Sequence, residues 1–161
     1  MPDALYITKA TEADLPLIRR FIEGLADYER LRDQCTATEE KLRSSLFGEH
    51  PSAEVLIARL DDEPVGFAVY FHSYSTFLSK RGLYLEDLFV TPQARGKGIG
   101  YALLAELARI AVDRGCERLE WAVLDWNDLA IDFYKRIGAV PKDEWTTFRL
   151  SGDALGAMAA K

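Results

Sequence analysis

Cysteine, histidine and basic charge are all scarce in this 161-residue chain, and each scarcity excludes a class of function. Cys35 and Cys116 are the only cysteines, and they lack CxxC or Cys/His spacing. Neither a disulfide framework nor a zinc site is therefore predicted, and a reducing cytoplasm fits best. His50 and His72 have no Ser or Cys nucleophile at motif spacing, and Ser44-Ser45 lacks the flanking glycines of a nucleophile elbow, which removes the hydrolase readings. With 20 Lys and Arg against 26 Asp and Glu the net charge is −6. Nucleic acid and anionic membrane, which require a cationic surface, are not expected partners, whereas small cationic amines are. No run of 18 apolar residues occurs, and the opening Met-Pro-Asp-Ala has no charged region leading into an apolar stretch. The expectation is a soluble intracellular chain without signal peptide or membrane span. Repeats, low-complexity tracts and Pro/Gly/Ser linkers are missing too, so the 161 residues, 48% of them apolar, read as one domain, 1–161.

What is present is a set of strands punctuated by helices. A strand is predicted over Leu5 to Lys9, then a helix with Asp14 as N-cap, Pro16 in its first turn and Leu15, Ile18, Ile22 and Leu25 at helical spacing. Thr36 and Glu39 have the spacing of a capping box for a second helix that carries Leu42 and Leu46 and ends before Gly48. Val55 to Leu60 and Val65 to Phe71 flank Asp61-Asp62-Glu63-Pro64, as in an antiparallel hairpin. A strand from Leu83 to Val90 precedes Pro92, and a helix follows with Ile99, Leu103, Leu107 and Ile110 on one face, an Arg109/Asp113 pair outside and Gly115 at its end. A strand from Leu119 to Leu124, a short helix capped by Asn127 and closed at Gly138, and a last strand from Trp145 to Leu150 complete the pattern. Such an order predicts an α+β fold with a mixed sheet.

Three places could carry chemistry. Arg95-Gly-Lys-Gly-Ile-Gly100 joins a strand to a helix, where glycines let a ligand approach the backbone and free N–H groups face an anion. It is either a phosphate cradle or a tight packing turn. A P-loop would need GxxxxGK[ST], and a dinucleotide fingerprint would need a third glycine where Tyr101 stands. Glu86 and Asp87 are two carboxylates inside an otherwise apolar strand. Strand alternation sends their side chains to opposite faces, so a carboxylate dyad is not expected. They are an exposed polar edge, or they bind an ammonium and take the proton that an amine of pKa ~10 must lose before it attacks a carbonyl. Asn127 and Tyr134 fall on one helix face, as a cap plus a half-buried tyrosine or as two contacts to one extended ligand.

Arg95-x-x-Gly98-x-Gly100 resembles the acetyl-CoA motif of the GNAT N-acetyltransferases. Ala26-Asp-Tyr-Glu29, Phe47-Gly-Glu-His-Pro51, Val65-Gly-Phe-Ala68, Tyr84-Leu-Glu-Asp87, Asp125-Trp-Asn127 and Phe133-Tyr-Lys135 with Gly138-Ala139 resemble, in order and spacing, the diamine (spermidine/spermine) N1-acetyltransferase family. Tyr74-Ser-Thr-Phe77 and Ala122-Val-Leu-Asp-Trp-Asn127 are closer to the branch that acetylates thialysine, a lysine analogue. The polyamine branch carries an acidic residue and a Trp where this chain has Ser75 and Phe77.

The resemblance implies a GNAT fold, acetyl-CoA as co-substrate with no metal, a small cationic amine as acceptor, and a homodimer with the amine pocket close to the subunit interface. It implies that acetyl-CoA meets Leu88, Phe89, Val90, Arg95, Gly96, Lys97, Gly98, Ile99, Gly100, Tyr101, Asn127, Ala130 and Tyr134. Tyr134 would protonate the departing thiolate and Glu86 would accept the amine proton or bind the amine. Tyr28, Glu29, Ser75, Phe77 and Asp87 would help hold the acceptor, and Glu144 is a weaker candidate in a segment shorter than the family's. A protein-lysine acetyltransferase and a non-catalytic acetyl-CoA-binding regulator are the alternative readings.

Overall fold

Residues 4–161 are described by a computed structural model of the chain. They fall into two compact units, Met1–Ala122 and Val123–Lys161.

The first unit is built on a five-stranded sheet in the order β1-β2-β3-β4-β5, with β1 Leu5–Lys9, β2 Glu54–Leu60, β3 Glu63–Ser75, β4 Lys80–Val90 and β5 Leu119–Trp121. The first four strands pair antiparallel and β5 joins β4 in parallel, so the sheet is mixed, as expected for α+β. The β2–β3 hairpin is tighter than the sequence predicted. Asp61 and Asp62 form its whole loop, both with positive φ (50° and 68°), the backbone of the two-residue turn that matches strand twist. Pro64 lies inside β3 opposite Arg59, where the register shifts, because proline brings no N–H to the ladder.

Helix α1, Leu15–Tyr28, seats Leu17, Ile18, Phe21 and Leu25 on Val55, Ile57, Phe67 and Phe89. Gly24 allows a close approach: a Cβ there would lie 2.8 Å from Cζ of Phe89. Leu88, next to Phe89 and so on the opposite face, comes 3.9 Å from where a Cβ of Gly100 would stand on α3, Ile99–Asp113. Ile99, Leu103 and Leu107 of α3 are fully buried.

Helix α2 is Glu39–Phe47, and its cap is Thr38, whose Oγ1 accepts from the Lys41 N–H at 3.1 Å. The Thr36/Glu39 box is not formed; Thr36 instead offers its carbonyl to Lys41 Nζ. Asp14 precedes α1 as expected, but its carboxylate turns back to the Thr11 N–H (2.8 Å) and to Arg59 Nη2 (3.1 Å) rather than capping. Arg109 pairs with Glu106, one helical turn away, instead of Asp113.

In the second unit α4, Asp128–Arg136, is capped by Asn127 and followed by Gly138 at φ 96°, as the sequence indicated. The strand expected over Trp145 to Leu150 is not formed, since extended residues become a strand only when another strand takes up their hydrogen bonds. Helix α5, Gly152–Ala159, was not anticipated, because Gly152 and Gly156 weaken its helical signal. Among the described residues, no helix is long and apolar enough to cross a membrane.

Candidate active site

Strand β4 breaks its own alternation at the two carboxylates. Val69 pairs with Asp87 and Tyr70 with Leu85, so Glu86 is passed over by the β3 ladder as the extra residue of a bulge. Phe89 and Asp87 share the face that meets α1. Leu85 shares the face of its partner Tyr70, whose ring lies 5.9 Å below the Arg114 guanidinium at the end of α3. Strict alternation, which would have separated Glu86 from Asp87, therefore fails at this point. Glu86 is exposed, whereas Asp87 is largely enclosed and titrates at about 6, raised first by burial, then by the charges of Glu86 and Glu29. Glu29, one residue past α1, is raised by burial and by Glu86. Three acids from two elements thus form one negatively charged wall, suited to an ammonium and able to accept a proton near neutral pH.

Arg95 stands beside this wall. Its Nε donates to the Val90 carbonyl at 3.1 Å, and its guanidinium lies 4.8 Å from the centre of the Tyr28 ring and 5.8 Å from that of Phe89. Beyond it the chain turns through Gly96 (φ 81°) and Gly98 (φ 77°), left-handed conformations that disfavour any residue with a Cβ. The space around both is open, with no heavy atom within 4 Å of a Cβ placed at either position. Gly98 is the N-cap of the 15-residue α3 and has no side chain to accept from its first N–H groups, those of Ile99, Gly100 and Tyr101. Exposed Lys97 adds positive charge. Loop and helix together fit an anionic group held by backbone amides and the helix dipole.

The parallel ladder to β5 is three pairs long and ends at Leu85 opposite Trp121. From Glu86 to Val90, β4 has no strand partner on that edge among the described residues, which opens the backbone of Leu88 and Val90 next to the glycine loop, while Phe89 between them faces β3. The strand expected to continue to Leu124 stops at Trp121.

In the second unit Asn127 Oδ1 accepts from the Ala130 N–H at 3.3 Å, and Tyr134 lies seven residues beyond Asn127, its ring 5.7 Å from that of Phe133. Ser75 and Phe77 lie elsewhere in the first unit. Ser75 pairs with Lys80 at the tip of the β3–β4 hairpin, where Phe77 is 98% exposed. Lys80 precedes Glu86 by six residues, about 20 Å of extended strand. Within one chain, Ser75 and Phe77 are thus not brought to the acidic wall. Glu144 ion-pairs with Lys142 at 3.2 Å. The sequence reading missed Gly24; a glycine in an amphipathic helix costs about 1 kcal/mol relative to alanine, and that cost was the available signal.

Fold and site define an acyltransferase: a mixed sheet whose β4 and β5 part company beside a glycine-rich helix start, with an acidic wall alongside. The Acetyltransferase (GNAT) family matches residues 21–139, and the chain belongs to that family. It is 42% identical to the thialysine N-epsilon-acetyltransferase of Bos taurus, covering 96% of this chain and 97% of that one. Identity to the L-ornithine N5-acetyltransferase of Arabidopsis thaliana is 34%, over 94% of this chain and 86% of the plant protein. An integron cassette protein from the mobile metagenome of V. cholerae superposes with a TM-score of 0.82 at 34% identity, covering 98% of both chains. The chain is accordingly an amine N-acetyltransferase with the GNAT fold.

Proposed function

We propose that this enzyme moves the acetyl group of acetyl-CoA onto the primary amine of a small cationic acceptor, thialysine or a similar amino acid or short diamine. The observation that carries the reading is the wall formed by Glu29, Glu86 and Asp87, lying beside the glycine loop through Arg95 and Tyr28. The residues present fit acetyl-CoA: the amides of Ile99, Gly100 and Tyr101, the open backbone at Gly96 and Gly98, and Lys97 suit its pyrophosphate. When bound, acetyl-CoA supplies the activated thioester carbonyl.

The acidic wall attracts the ammonium and then removes its proton. An acceptor of pKa ~10 is almost wholly protonated at neutral pH, so a carboxylate near it must take up that proton. Asp87, titrating at about 6, is mostly ionised at pH 7 yet basic enough to hold a proton transiently, and exposed Glu86 can pass it to water. Backbone N–H groups of Leu88 and Val90 on the open edge of β4 donate to the carbonyl oxygen as charge gathers there. The family resemblance gives Asn127 and Ala130 contacts to acetyl-CoA and makes the Tyr134 hydroxyl the proton donor to the departing sulfur.

The same resemblance supports a homodimer, while the scarcity of cysteine and the length and composition of the chain support a cytoplasmic protein of one domain, 1–161. A second copy then brings Ser75 and Phe77 toward the acceptor, which the separation along β4 denies to them within one chain. A free-thiol assay across a panel of thialysine, ornithine, short diamines, spermidine and a lysine peptide tests the reading. Acetyl-CoA-dependent thiol release with the small amines is expected. Release with the peptide alone would replace the small-molecule reading by a protein-lysine one, and release with none would leave a binding protein.

A further inference from the structure

The arginine that opens the glycine motif has its side chain tied to the strand before it and to the end of α1. Its Nε is tied to the Val90 carbonyl, and its guanidinium plane is taken up by Tyr28 at 4.8 Å and Phe89 at 5.8 Å. Both rings belong to the α1–β4 contact. Gly24 lets α1 settle on Phe89, and Tyr28, four residues on and so on the same helix face, is delivered to Arg95. The next residue is Glu29, the part of the acidic wall that does not come from β4. Arg95 is thus the point where the last turn of α1, the end of β4 and the first residue of the loop meet.

We infer that Arg95 is a positioning residue for the amine acceptor: its guanidinium, stacked on Tyr28, holds the end of α1 so that Glu29 faces Glu86 and Asp87, while the backbone amides and Lys97 carry the affinity for acetyl-CoA. The inference rests on the acceptor reading above and adds a division of labour to it. Nε of Arg95 donates to Val90 and its guanidinium rests over Tyr28, two ties within the protein that fix this side chain against the end of α1, as a strut requires. The neighbouring Lys97, exposed and flanked by the two left-handed glycines, has no such tie among the described residues.

The test uses the full chain as Arg95→Gln, Tyr28→Leu and the double variant, with three readouts. The amine KM should rise roughly 2- to 5-fold in either single variant, the range an exposed cation–π contact supports, and the double variant should be no worse than the poorer single one. Calorimetric affinity for acetyl-CoA should stay within about twofold of native. Amide hydrogen exchange at Leu25 to Glu29, measured without any substrate, should quicken in Arg95→Gln and Tyr28→Leu alike. Lys97→Gln, by contrast, should weaken acetyl-CoA and leave that exchange unchanged. A tenfold loss of acetyl-CoA affinity in Arg95→Gln with an unmoved amine KM would overturn the inference, as would additive effects in the double variant. Because the exchange readout needs no acceptor, unchanged exchange refutes the strut even if the acceptor reading holds. Quickened exchange in an enzyme that acetylates no amine would refute the acceptor reading and leave the strut standing.

Discussion

Glu29, one residue past α1, and Asp87, in the middle of β4, are both held above the ordinary carboxylate range, and Glu86 adds to each shift. An acidic site that concentrates cations must keep its carboxylates close together, and burial, with their mutual repulsion added, makes one of them basic enough to accept a proton.

That basicity has a cost in stability with a definite pH dependence. Asp87 titrates at about 6 in the fold against 3.8 for a free side chain, so between those values the folded protein binds more protons than the unfolded one. Stability on this account falls as pH rises from about 4 to 6 and stays lowered above, by up to about 3 kcal/mol. Asp87→Asn should resist urea better than the native chain at pH 7.5 and lose that advantage near pH 4. Equal differences at both pH values would mean that relief of the buried charge is not the cause. In the native enzyme kcat/KM should fall below pH about 6 as Asp87 takes its proton.

At Gly98 the prediction separates backbone strain from crowding. Its φ of 77° is left-handed and nothing stands within 4 Å of the position an added methyl group would take, so Gly98→Ala meets no clash and its cost is conformational, about 1–2 kcal/mol. Gly98→Asn should cost less, because asparagine tolerates this region, and Gly98→Val should cost more. Thermal unfolding of the three variants checks the order, and acetyl-CoA affinity should fall in the same order if the loop amides are its ligands.

Tyr134→Phe removes one hydroxyl from α4. If that hydroxyl donates the proton to sulfur, kcat should drop roughly 10²- to 10⁴-fold with acetyl-CoA affinity nearly kept. A loss below about threefold takes Tyr134 out of the mechanism.

The parts of this architecture that depend on local periodicity could be read in advance. Leu15, Ile18 and Leu25 of α1, Ile99, Leu103 and Leu107 of α3, and the Asn127 cap all lie where spacing placed them. What could not be read depends on pairing between distant segments. The bulge at Glu86 exists only in relation to Val69 and Tyr70, and alternation along β4 alone gave the wrong relation to Asp87. The sequence spacing put the cap of α2 at Thr36, and the backbone placed it at Thr38 instead. The strand expected over Trp145 to Leu150 had aromatic and β-branched residues in its favour but no ladder to join. The stacking of Arg95 on Tyr28 joins residues far apart in the chain, and a motif read locally assigns that arginine to a phosphate.

Substrate length gives the last prediction. Ser75 Oγ accepts from the Leu78 N–H at 3.3 Å in the β3–β4 turn, a role that an aspartate carboxylate fills as well, so Ser75→Asp should fold normally. The native enzyme should prefer thialysine to spermidine, since Ser75 offers no charge to a distant ammonium. A charge-assisted hydrogen bond gained at this position is worth about 1.5–3 kcal/mol, or roughly 10- to 150-fold in the ratio of kcat/KM values. Because Lys80, the partner of Ser75, lies about 20 Å along β4 from Glu86, one chain alone cannot present both acids to one short amine. The shift toward spermidine is therefore expected where light scattering reports a dimer and should disappear on dilution to the monomer. A ratio that stays fixed in the dimer would remove Ser75 from the acceptor site, and a shift that persists in the monomer would mean that the hairpin reaches the acidic wall of its own chain.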